Sequence, residues 1–313
     1  LDAVDANHTA IILNPDDAEV HNNQGNKLRE LGRLRESEIC LNKAIALKPD
    51  FAEAHNNLGN TFQDAGDLAK SEASYQQALA IKPDYAKAHQ NLSATLVALN
   101  KLQEAEASAA KAILLRSDYA DSHVNLGIIL AKLGRLDEAE EAYERALQLE
   151  VKAETLCNLG ATLKELGKVE EAEAAYKQAI ALKEDCFTAH SNLLFLQGSC
   201  NFDVVQYLKN ARNFSAAAHK KVSAQFTKWP CAKTADCLRI GFVSGDFKSH
   251  PVGFFIEGLL RHLNSSSVKL YAYSTVGFTD DTTALLKPLF HEWVSICGMS
   301  DEDAANRIHA DDV

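Results

Sequence analysis

A repeat of 33 or 34 residues runs through residues 1–197 of this sequence. A motif of the type Asn-Leu-Gly recurs six times, and columns of alanine and glycine keep the same phase. The third residue of the motif is Gly25, Gly59, Ser93, Gly127, Gly160 and Leu194 in turn. A fixed period of this length indicates a solenoid, in which each repeat packs only against its neighbours.

Each repeat is predicted to be a pair of helices. In the clearest example, apolar residues at helical spacing predict a first helix over 52–65 and a second over 68–81. Gly66 suits the position just past a helix end, where left-handed backbone is common. Pro83 cannot continue a helix and ends the second one.

The pattern resembles the tetratricopeptide repeat. Small residues such as Gly59 and Ala78 are expected to let the two helices approach closely, with Tyr75 filling the space beside them. Stacked helix pairs of this kind form a superhelix with a long concave groove that binds extended peptides or partner helices. We therefore predict an α-solenoid that selects and holds a partner.

One asparagine occupies the same place on the first helix of every repeat. The column consists of Asn23, Asn57, Asn91, Asn125, Asn158 and Asn192. A primary amide offers two donors and an acceptor, so a row of amides could bind the backbone of an acceptor peptide whatever its sequence. The alternative is that each amide makes local hydrogen bonds within the repeats.

Histidine recurs two residues before this asparagine in every repeat but the fifth. The column is His21, His55, His89, His123 and His190. Successive repeats lie too far apart for these side chains to share one metal ion. We expect solvated or partly packed histidines and no metal site.

The net charge of −11 argues against nucleic acid or an anionic membrane as the main partner, because both attract clustered Lys and Arg. No apolar run is long enough to span a membrane, and the first residues do not look like a signal peptide. We expect a cytoplasmic protein, also nuclear in a eukaryote. Because the chain begins with Leu and holds one Met, we expect a fragment or a processed form.

The seven cysteines are scattered, and none forms a Cys-x-x-Cys pair. A zinc ribbon or a thioredoxin-type site is therefore not predicted. Cys40 and Cys157 lie in the repeats and are interpreted as small core residues. Cys231 and Cys237 could be a redox pair or two reduced thiols.

Residues 198–237 interrupt the period and are predicted to be a connector. An amphipathic pattern predicts a helix over 203–222. An irregular linker follows, which Trp229 is expected to anchor on a neighbouring surface.

From residue 238 the pattern changes to short strands alternating with helices. The predicted elements are strand 238–243, loop 244–252, helix 253–263, strand 268–274, helix 280–290, strand 293–297 and helix 301–311. This alternation favours a parallel sheet of Rossmann type. Three strands would leave a sheet edge unsatisfied, so we expect residues 238–313 to be the start of an incomplete domain.

The loop after the first strand carries groups suited to catalysis. Gly245 permits an unusual backbone angle, and Pro251 stiffens the backbone beside His250. Asp246, Lys248 and His250 supply an acid, a cation and a base that titrates near neutral pH. A lone loop histidine can equally be a structural or surface residue.

The stretch 238–254, directly after a tetratricopeptide array, resembles the protein O-linked N-acetylglucosamine transferases. Plant O-fucosyltransferases of the SPINDLY type look similar too. The family's strand and loop are of the form R-[IV]-G-[YF]-V-S-x-D-F-x-x-H. The match here consists of Arg239, Ile240, Gly241, Phe242, Val243, Ser244, Asp246, Phe247 and His250. The segment 304–313 also resembles the approach to the family's next strand.

This resemblance implies a GT-B glycosyltransferase that moves a sugar from a nucleotide sugar, such as UDP-GlcNAc, to Ser or Thr of proteins without metal or other cofactor. The family's histidine at the position of His250 lies in the active site, as a proposed base or as a contact to the sugar phosphate. Gly245, Asp246 and Pro251 would belong to the same loop. The family's asparagine column is its binding ladder for acceptor peptide.

Three questions stay open at this stage. Some relatives have a second polar residue where this sequence has Val252 onward, so the donor sugar could be GlcNAc or fucose. The nucleotide-binding half of the GT-B fold would lie beyond residue 313, so this chain alone is expected not to turn over. A non-catalytic tetratricopeptide scaffold, able to form homo-oligomers through its repeats, is the alternative.

Overall fold

The chain forms two compact units, Leu1–Lys221 and Val222–Val313. The structure, a computed structural model, describes residues 14–200, 203–221, 238–262, 268–311 and 313. The first unit is a helical solenoid of tetratricopeptide repeats, and the second is a small α/β unit.

The helices of the first unit come in pairs, one pair to each repeat. They are α1 Ala18–Glu30, α2 Leu34–Leu47, α3 Ala52–Asp64, α4 Leu68–Ile81, α5 Ala86–Ala98, α6 Leu102–Leu115, α7 Ala120–Lys132, α8 Leu136–Leu149, α9 Ala153–Glu165, α10 Val169–Leu182, α11 Phe187–Cys200 and α12 Val204–Lys221. The bounds of α3 and α4 confirm the helices predicted from the repeat pattern. Repeats 1 to 6 below are the successive pairs from α1–α2 to α11–α12.

Within each of repeats 1 to 5, the chain reverses through one residue with left-handed backbone. Gly66 has φ of 78°, and nothing lies within 4 Å of where its Cβ would be, so the angle and not the space favours glycine there. Repeat 3 has Asn100 in this position, with φ of 60°. Asparagine is among the few other residues that adopt this conformation readily, which explains the one substitution in the column.

In repeats 2, 4 and 5, the two helices touch where a glycine faces a tyrosine, and in repeat 1 Gly25 faces Leu41 instead. A Cβ atom at Gly59 would lie 2.6 Å from Cε1 of Tyr75, and one at Gly127 would lie 2.6 Å from Cε1 of Tyr143. Both tyrosines are fully buried. The close approach expected from small Gly59 and large Tyr75 is confirmed.

Repeat 3 shows that the two positions compensate each other. Ser93 replaces the glycine there, and Ala109 replaces the tyrosine sixteen residues later. Both residues are fully buried, and the Ser93 hydroxyl donates to the Gln90 carbonyl at 2.7 Å. The larger residue on one helix is thus matched by a smaller one on its partner.

The histidine column secures the turn before each first helix. Nε2 of every histidine lies 2.9–3.2 Å from the carbonyl oxygen six residues earlier, such as Pro15 for His21 and Pro83 for His89. Repeat 5 has one residue fewer before α9 and carries Leu156 in place of histidine. The column therefore has a structural role, and His21, His123 and His190 are buried, which is more than the solvated or partly packed state expected from the sequence.

The second compact unit is a three-stranded parallel sheet flanked by helices. Its elements are β1 Leu238–Ser244, α13 Pro251–His262, β2 Val268–Ser274, α14 Asp281–Leu286, a 3₁₀ turn Lys287–Leu289, β3 Glu292–Ser295 and α15 Asp301–Ala310. The strand order is β1-β2-β3, with Leu238 opposite Val268 and Tyr271 opposite Glu292. Every predicted strand and helix is present.

Side chains of the central strand alternate between two cores. Leu270 and Ala272 pack with Phe247 on one face of the sheet, whereas Tyr271 and Tyr273 pack with Ile296 on the other. Three predicted bounds were wrong by two residues or more, and one of them is the end of β3, which lies at Ser295 and not at residue 297. Helix α13 begins at Pro251, because proline suits the first helical position. Helix α14 ends early, and the 3₁₀ turn that follows it contains Pro288.

Helix α12, predicted as part of the connector, belongs to the first compact unit. Its Asn210 amide donates to Oε1 of Gln197 at 2.9 Å, and the Phe214 ring stacks on His190 with centroids 5.5 Å apart. The rest of the predicted connector, with Trp229, Cys231 and Cys237, lies outside the described residues. Among the helices that are described, none has both the length and the apolar character to cross a membrane.

Buried thiols meet between repeats 5 and 6. Sγ of Cys157 lies 3.5 Å from Sγ of Cys186, and both cysteines are free and buried. The core position of Cys157 is confirmed, whereas Cys40 is only partly buried. Burial raises the pKa of the Cys157 thiol, which keeps it protonated at neutral pH.

We expect Gly127→Ala to destabilise the solenoid by about 1–3 kcal/mol, because the added methyl would overlap the Tyr143 ring. In a Tyr143→Ala background the same change should stabilise, by up to about 1 kcal/mol, since alanine is the better helix former. Urea unfolding of the four proteins followed by circular dichroism measures this coupling. An equal cost of Gly127→Ala in both backgrounds would contradict the packing argument.

We also expect Cys157 and Cys186 to resist alkylation in the folded protein. Iodoacetamide at pH 8 followed by mass spectrometry should label exposed Cys297 quickly and these two cysteines only after addition of denaturant. Labelling of Cys157 at the rate of Cys297 would show that the junction between repeats 5 and 6 opens readily.

Candidate functional sites on the repeat array and after the first strand

The first helix of each repeat forms the inner layer of the solenoid. Helices α1, α3, α5, α7, α9 and α11 each contact the next in this series. Among the described helices, no comparably close contact joins successive second helices of the repeats. The series therefore curves towards its first helices, whose free surface is called the inner face below.

Hydrogen bonds between successive repeats run along the inner face through the asparagine column. Nδ2 of Asn57 donates to Oδ1 of Asn22 at 2.9 Å. Nδ2 of Asn91 donates to Oδ1 of Asn56 at 3.1 Å and to Oδ1 of Asn60 at 2.9 Å. These amides therefore tie α3 to α1 and α5 to α3.

Asn125 repeats this arrangement with different acceptors. Its Nδ2 donates to the Gln90 carbonyl at 3.1 Å and to Oγ of Ser93 at 2.9 Å. Both amide hydrogens of Asn91 and of Asn125 are thus used inside the protein. Their Oδ1 atoms accept no hydrogen bond from the part of the chain that is described, so each can accept one from a ligand.

The other members of the column differ. Asn23 is exposed, since no described helix precedes α1. Asn158 and Asn192 are half-buried, and the Asn158 side chain makes no hydrogen bond with any described residue. The local-bonding interpretation therefore holds for Asn57, Asn91 and Asn125, and ligand binding by the column stays a prediction.

The acceptors for these amides are a feature that sequence reasoning missed. They include the residue directly before the column, which is Asn22 or Asn56 in the first repeats. A second polar column beside the first was visible in the sequence and could have indicated side-chain pairing between repeats.

Residues 245–250 form a short loop at the carboxyl end of β1, as predicted. Its anchor is Phe247, which is 1% exposed and packs against the rings of Phe290 and Trp293. The Thr283 hydroxyl donates to the Phe247 carbonyl at 2.7 Å. The buried ring fixes the centre of the loop, and the polar residues on either side of it stay exposed or partly exposed.

Asp280 holds the far end of the loop and was not singled out from the sequence. Its Oδ2 accepts from the Ser249 backbone N–H at 2.7 Å, and its Oδ1 accepts from the Thr283 backbone N–H at 2.8 Å. These donors, that of Ser249 first, hold the pKa of Asp280 below its ordinary value. An aspartate three residues before a threonine at a helix start was the available signal.

The structure brings Asp246, Lys248 and His250 together. Oδ2 of Asp246 lies 3.9 Å from Nδ1 of His250, and its Oδ1 lies 4.0 Å from Nζ of Lys248. The Lys248 ammonium also lies 5.1 Å from the centre of the Phe278 ring. Because all three side chains are partly exposed, they can reach a ligand at this edge of the sheet.

The hydrogen bond of His250 sets which of its nitrogens carries the proton. Its Nδ1 accepts from the Val252 backbone N–H at 3.3 Å, at the first turn of α13. In the neutral ring the proton is then on Nε2, which becomes a hydrogen-bond donor. Protonation of Nδ1 would break this contact and place a positive charge near Asp246.

Two glycines matter here for their size. A Cβ atom at Gly253 would lie 2.2 Å from the Lys248 carbonyl oxygen, so only glycine allows the loop to fold against α13. A Cβ at Gly245 would lie 2.9 Å from Oγ1 of Thr275. Gly245 does not adopt the unusual backbone angle that the sequence suggested: its φ lies outside the left-handed region.

In the described ranges, no group of three or more His, Cys, Asp or Glu side chains is arranged to hold a metal ion. The described groups at the loop are the carboxylates of Asp246 and Asp280, the Lys248 ammonium, the His250 imidazole and backbone N–H groups. Such a set can bind and polarise an anionic ligand and exchange a proton.

We expect the Ser249 amide to lose protection from hydrogen exchange in Asp280→Asn. The depressed pKa means that the stabilisation by Asp280 is present above its ordinary pKa and is lost as the pH falls through the lower folded value. Protection factors of Ser249 between pH 2 and pH 6, measured by NMR, should fall towards acid in the wild type. A flat profile would mean that the carboxylate charge does not hold the loop.

Comparisons with known proteins agree on the repeats. Models described as "Tetratricopeptide repeat" match residues 118–185 and 52–85, and one described as "TPR repeat" matches residues 25–66. The chain therefore carries tetratricopeptide repeats.

Among curated proteins, the chain is 35% identical over 98 residues to a probable UDP-N-acetylglucosamine–peptide N-acetylglucosaminyltransferase SPINDLY from Hordeum vulgare. The match covers 30% of this chain and 10% of the barley protein, so it spans only about a tenth of that relative.

Two solved structures share the fold. An O-GlcNAc transferase mutant from Thermobaculum terrenum has a TM-score of 0.50 at 22% identity, over 84% of this chain and 44% of that one. The matched 84% of this chain is longer than the first compact unit, Leu1–Lys221, so the structural match includes part of the second unit. The Cut9–Hcn1 hetero-tetramer of the APC/C has a TM-score of 0.60 at 15% identity, over 69% of this chain and 43% of that one.

Proposed function

We propose that this chain is part of a protein O-glycosyltransferase. Its repeats would bind the acceptor polypeptide, and its second unit would contribute to a GT-B catalytic domain with a Rossmann-like sheet. The observation that carries the proposal is the loop of Asp246, Lys248 and His250 at the end of β1, in a chain with tetratricopeptide repeats. The similarity to SPINDLY proteins and the fold shared with an O-GlcNAc transferase support it.

The geometry favours ligand contact over base catalysis for His250. With Nδ1 accepting from the Val252 N–H, Nε2 of the neutral ring carries the proton and can donate to an oxygen of the sugar or the phosphate. To act as a base through Nε2, His250 would first have to lose the proton that Nε2 carries. Lys248 adds a positive charge close by, which suits the diphosphate of a nucleotide sugar.

The donor is proposed to be a nucleotide sugar, UDP-GlcNAc or GDP-fucose, with no metal or other cofactor. The acceptor is proposed to lie extended along the inner face. The Oδ1 atoms of Asn91 and Asn125 are free to accept hydrogen bonds from its backbone N–H groups. Because both amides are already fixed by hydrogen bonds within the repeats, little side-chain entropy would be lost on binding.

A protein-binding scaffold without chemistry is the second candidate. The observation that favours it is the likeness of the repeat array to the Cut9–Hcn1 assembly, which has the higher TM-score of the two structures. In that case the acidic chain would hold a partner protein on its inner face, and the loop after β1 would have no substrate.

A transfer assay on the native protein that contains this sequence separates the two candidates. Labelled UDP-GlcNAc or GDP-fucose is supplied with an unstructured Ser/Thr peptide and no added metal. Incorporation is expected, and His250→Ala should reduce it by about 10²–10⁴-fold. The control is His262→Ala, an exposed histidine at the end of α13.

Each outcome has a definite meaning. Incorporation that His250→Ala leaves unchanged would keep the enzyme and remove His250 from its active site. No incorporation from either donor would overturn the glycosyltransferase proposal in favour of the scaffold.

A further inference from the structure

The inner face changes its chemistry along the array. Two columns flank the asparagine column on the inner helices, one residue before it and three residues after it. The column before reads Asn22, Asn56, Gln90, Val124, Cys157 and Ser191. The column after reads Asn26, Asn60, Ala94, Ile128, Ala161 and Phe195. The first repeats thus present amides, and repeats 4 to 6 present mainly apolar side chains.

This change leaves the Asn158 amide without a partner among the described residues. Asn91 donates to Asn56 and Asn60 of the repeat before it. The equivalent neighbours of Asn158 are Val124 and Ile128, whose side chains cannot accept a hydrogen bond. Consistently, the Asn158 amide has no partner in the described part of the chain. Both its hydrogens and its oxygen are available to a ligand.

The apolar side chains beside Asn158 are partly open. Val124 and Ile128 pack against the core of repeats 4 to 6 but stay only half-buried. Phe195 is 66% exposed, and Nζ of Lys164 lies 5.5 Å from the centre of its ring. Large apolar residues left open on a surface of this kind are typical anchors for a partner's side chain.

Lys132 and Lys164 border this apolar stretch and have no carboxylate partner in the part of the chain that the structure describes. Many lysines and arginines of the array are paired, such as Lys101 with Glu72 at 2.7 Å and Lys168 with Glu140 at 2.6 Å. In contrast, Lys132 and Lys164 form no ion pair with any described residue. They lie at or near the ends of the inner helices α7 and α9. Unpaired cations next to an apolar surface favour a ligand with both apolar and acidic groups.

We infer that repeats 4 to 6 form a side-chain-selective subsite for an extended polypeptide segment. The segment carries a large apolar residue followed closely by carboxylates. Its backbone binds to the Asn158 amide, its apolar side chain lies against Ile128 and Phe195, and its carboxylates pair with Lys132 and Lys164. This inference rests on the proposed acceptor role of the inner face, and it names the class of segment that the groove would select.

The test is fluorescence anisotropy with a labelled synthetic peptide of twelve residues, rich in Ser and Thr, with one central Leu followed by two Asp. Its variants replace Leu by Ser or both Asp by Asn. We expect each replacement to weaken binding to the wild-type chain by about tenfold. The protein variants Asn158→Ala, Phe195→Ser and Lys132→Gln/Lys164→Gln should each weaken binding of the parent peptide by about five- to tenfold.

Two matched controls separate binding from folding. Lys111→Gln removes an exposed lysine from α6 in the outer layer and should leave binding unchanged. Asn91→Ala should lower the melting temperature, because it removes two hydrogen bonds between repeats, whereas Asn158→Ala should not.

The possible failures are distinct. Binding that survives unchanged in the three subsite variants, or that ignores the Leu→Ser replacement, would overturn the subsite while acceptor binding by the repeats stands. If no peptide binds the wild-type chain, the acceptor role itself is overturned, and the subsite with it.

Discussion

The close contact between a small residue on the first helix of a repeat and its partner on the second helix is the constraint on which the repeat array depends, and in repeats 2, 4 and 5 this contact joins a glycine to a tyrosine. It sets the spacing within a repeat, since a single methyl group at Gly127 would overlap the Tyr143 ring. That spacing then fixes where the inner helices stand relative to one another. The hydrogen bonds between repeats, such as Asn57 to Asn22, require this regular stacking. A solenoid without long-range contacts has few other means of controlling its curvature.

The asparagine column joins repeats through its amides, and in the proposed function it also binds the acceptor polypeptide. In repeats 2 to 4 its amide hydrogens are used to join repeats, and the carbonyl oxygens of Asn91 and Asn125 remain for a ligand. Next to Asn158, the preceding inner helix carries apolar Val124 and Ile128. The whole Asn158 amide can therefore form hydrogen bonds with a ligand. The same residue therefore has a different role in different repeats, decided by its neighbours on the helix before it. A groove that changes from amide to apolar side chains can favour one orientation of a bound peptide and select its side chains, whereas a uniform row of amides cannot.

Two contacts position the loop after β1. The Phe247 ring is buried against Phe290 and Trp293, and the Asp280 carboxylate accepts a hydrogen bond from the Ser249 backbone. Neither residue needs to touch a ligand for the loop to function. The buried ring and the two backbone hydrogen bonds hold Asp246, Lys248 and His250 at the sheet edge, where strands of a parallel sheet commonly place their functional groups. Preorganisation of this kind lowers the cost of binding an anionic substrate.

The sequence by itself determined the period, the helix pairs, the turn residues and the alternation of strands and helices. These are local properties, because a glycine with left-handed backbone or an alternating apolar pattern acts through the nearest residues. The sequence also located Asp246, Lys248 and His250 on one loop, since they lie within five positions of each other. Only the tertiary structure decided what each polar side chain contacts. The partners of Asn57 and Asn91 lie more than thirty residues away, Asp280 reaches Ser249 from another helix, and the tautomer of His250 depends on where α13 begins. Hydrogen bonds of this kind depend on distances between elements, which packing sets and local pattern does not contain.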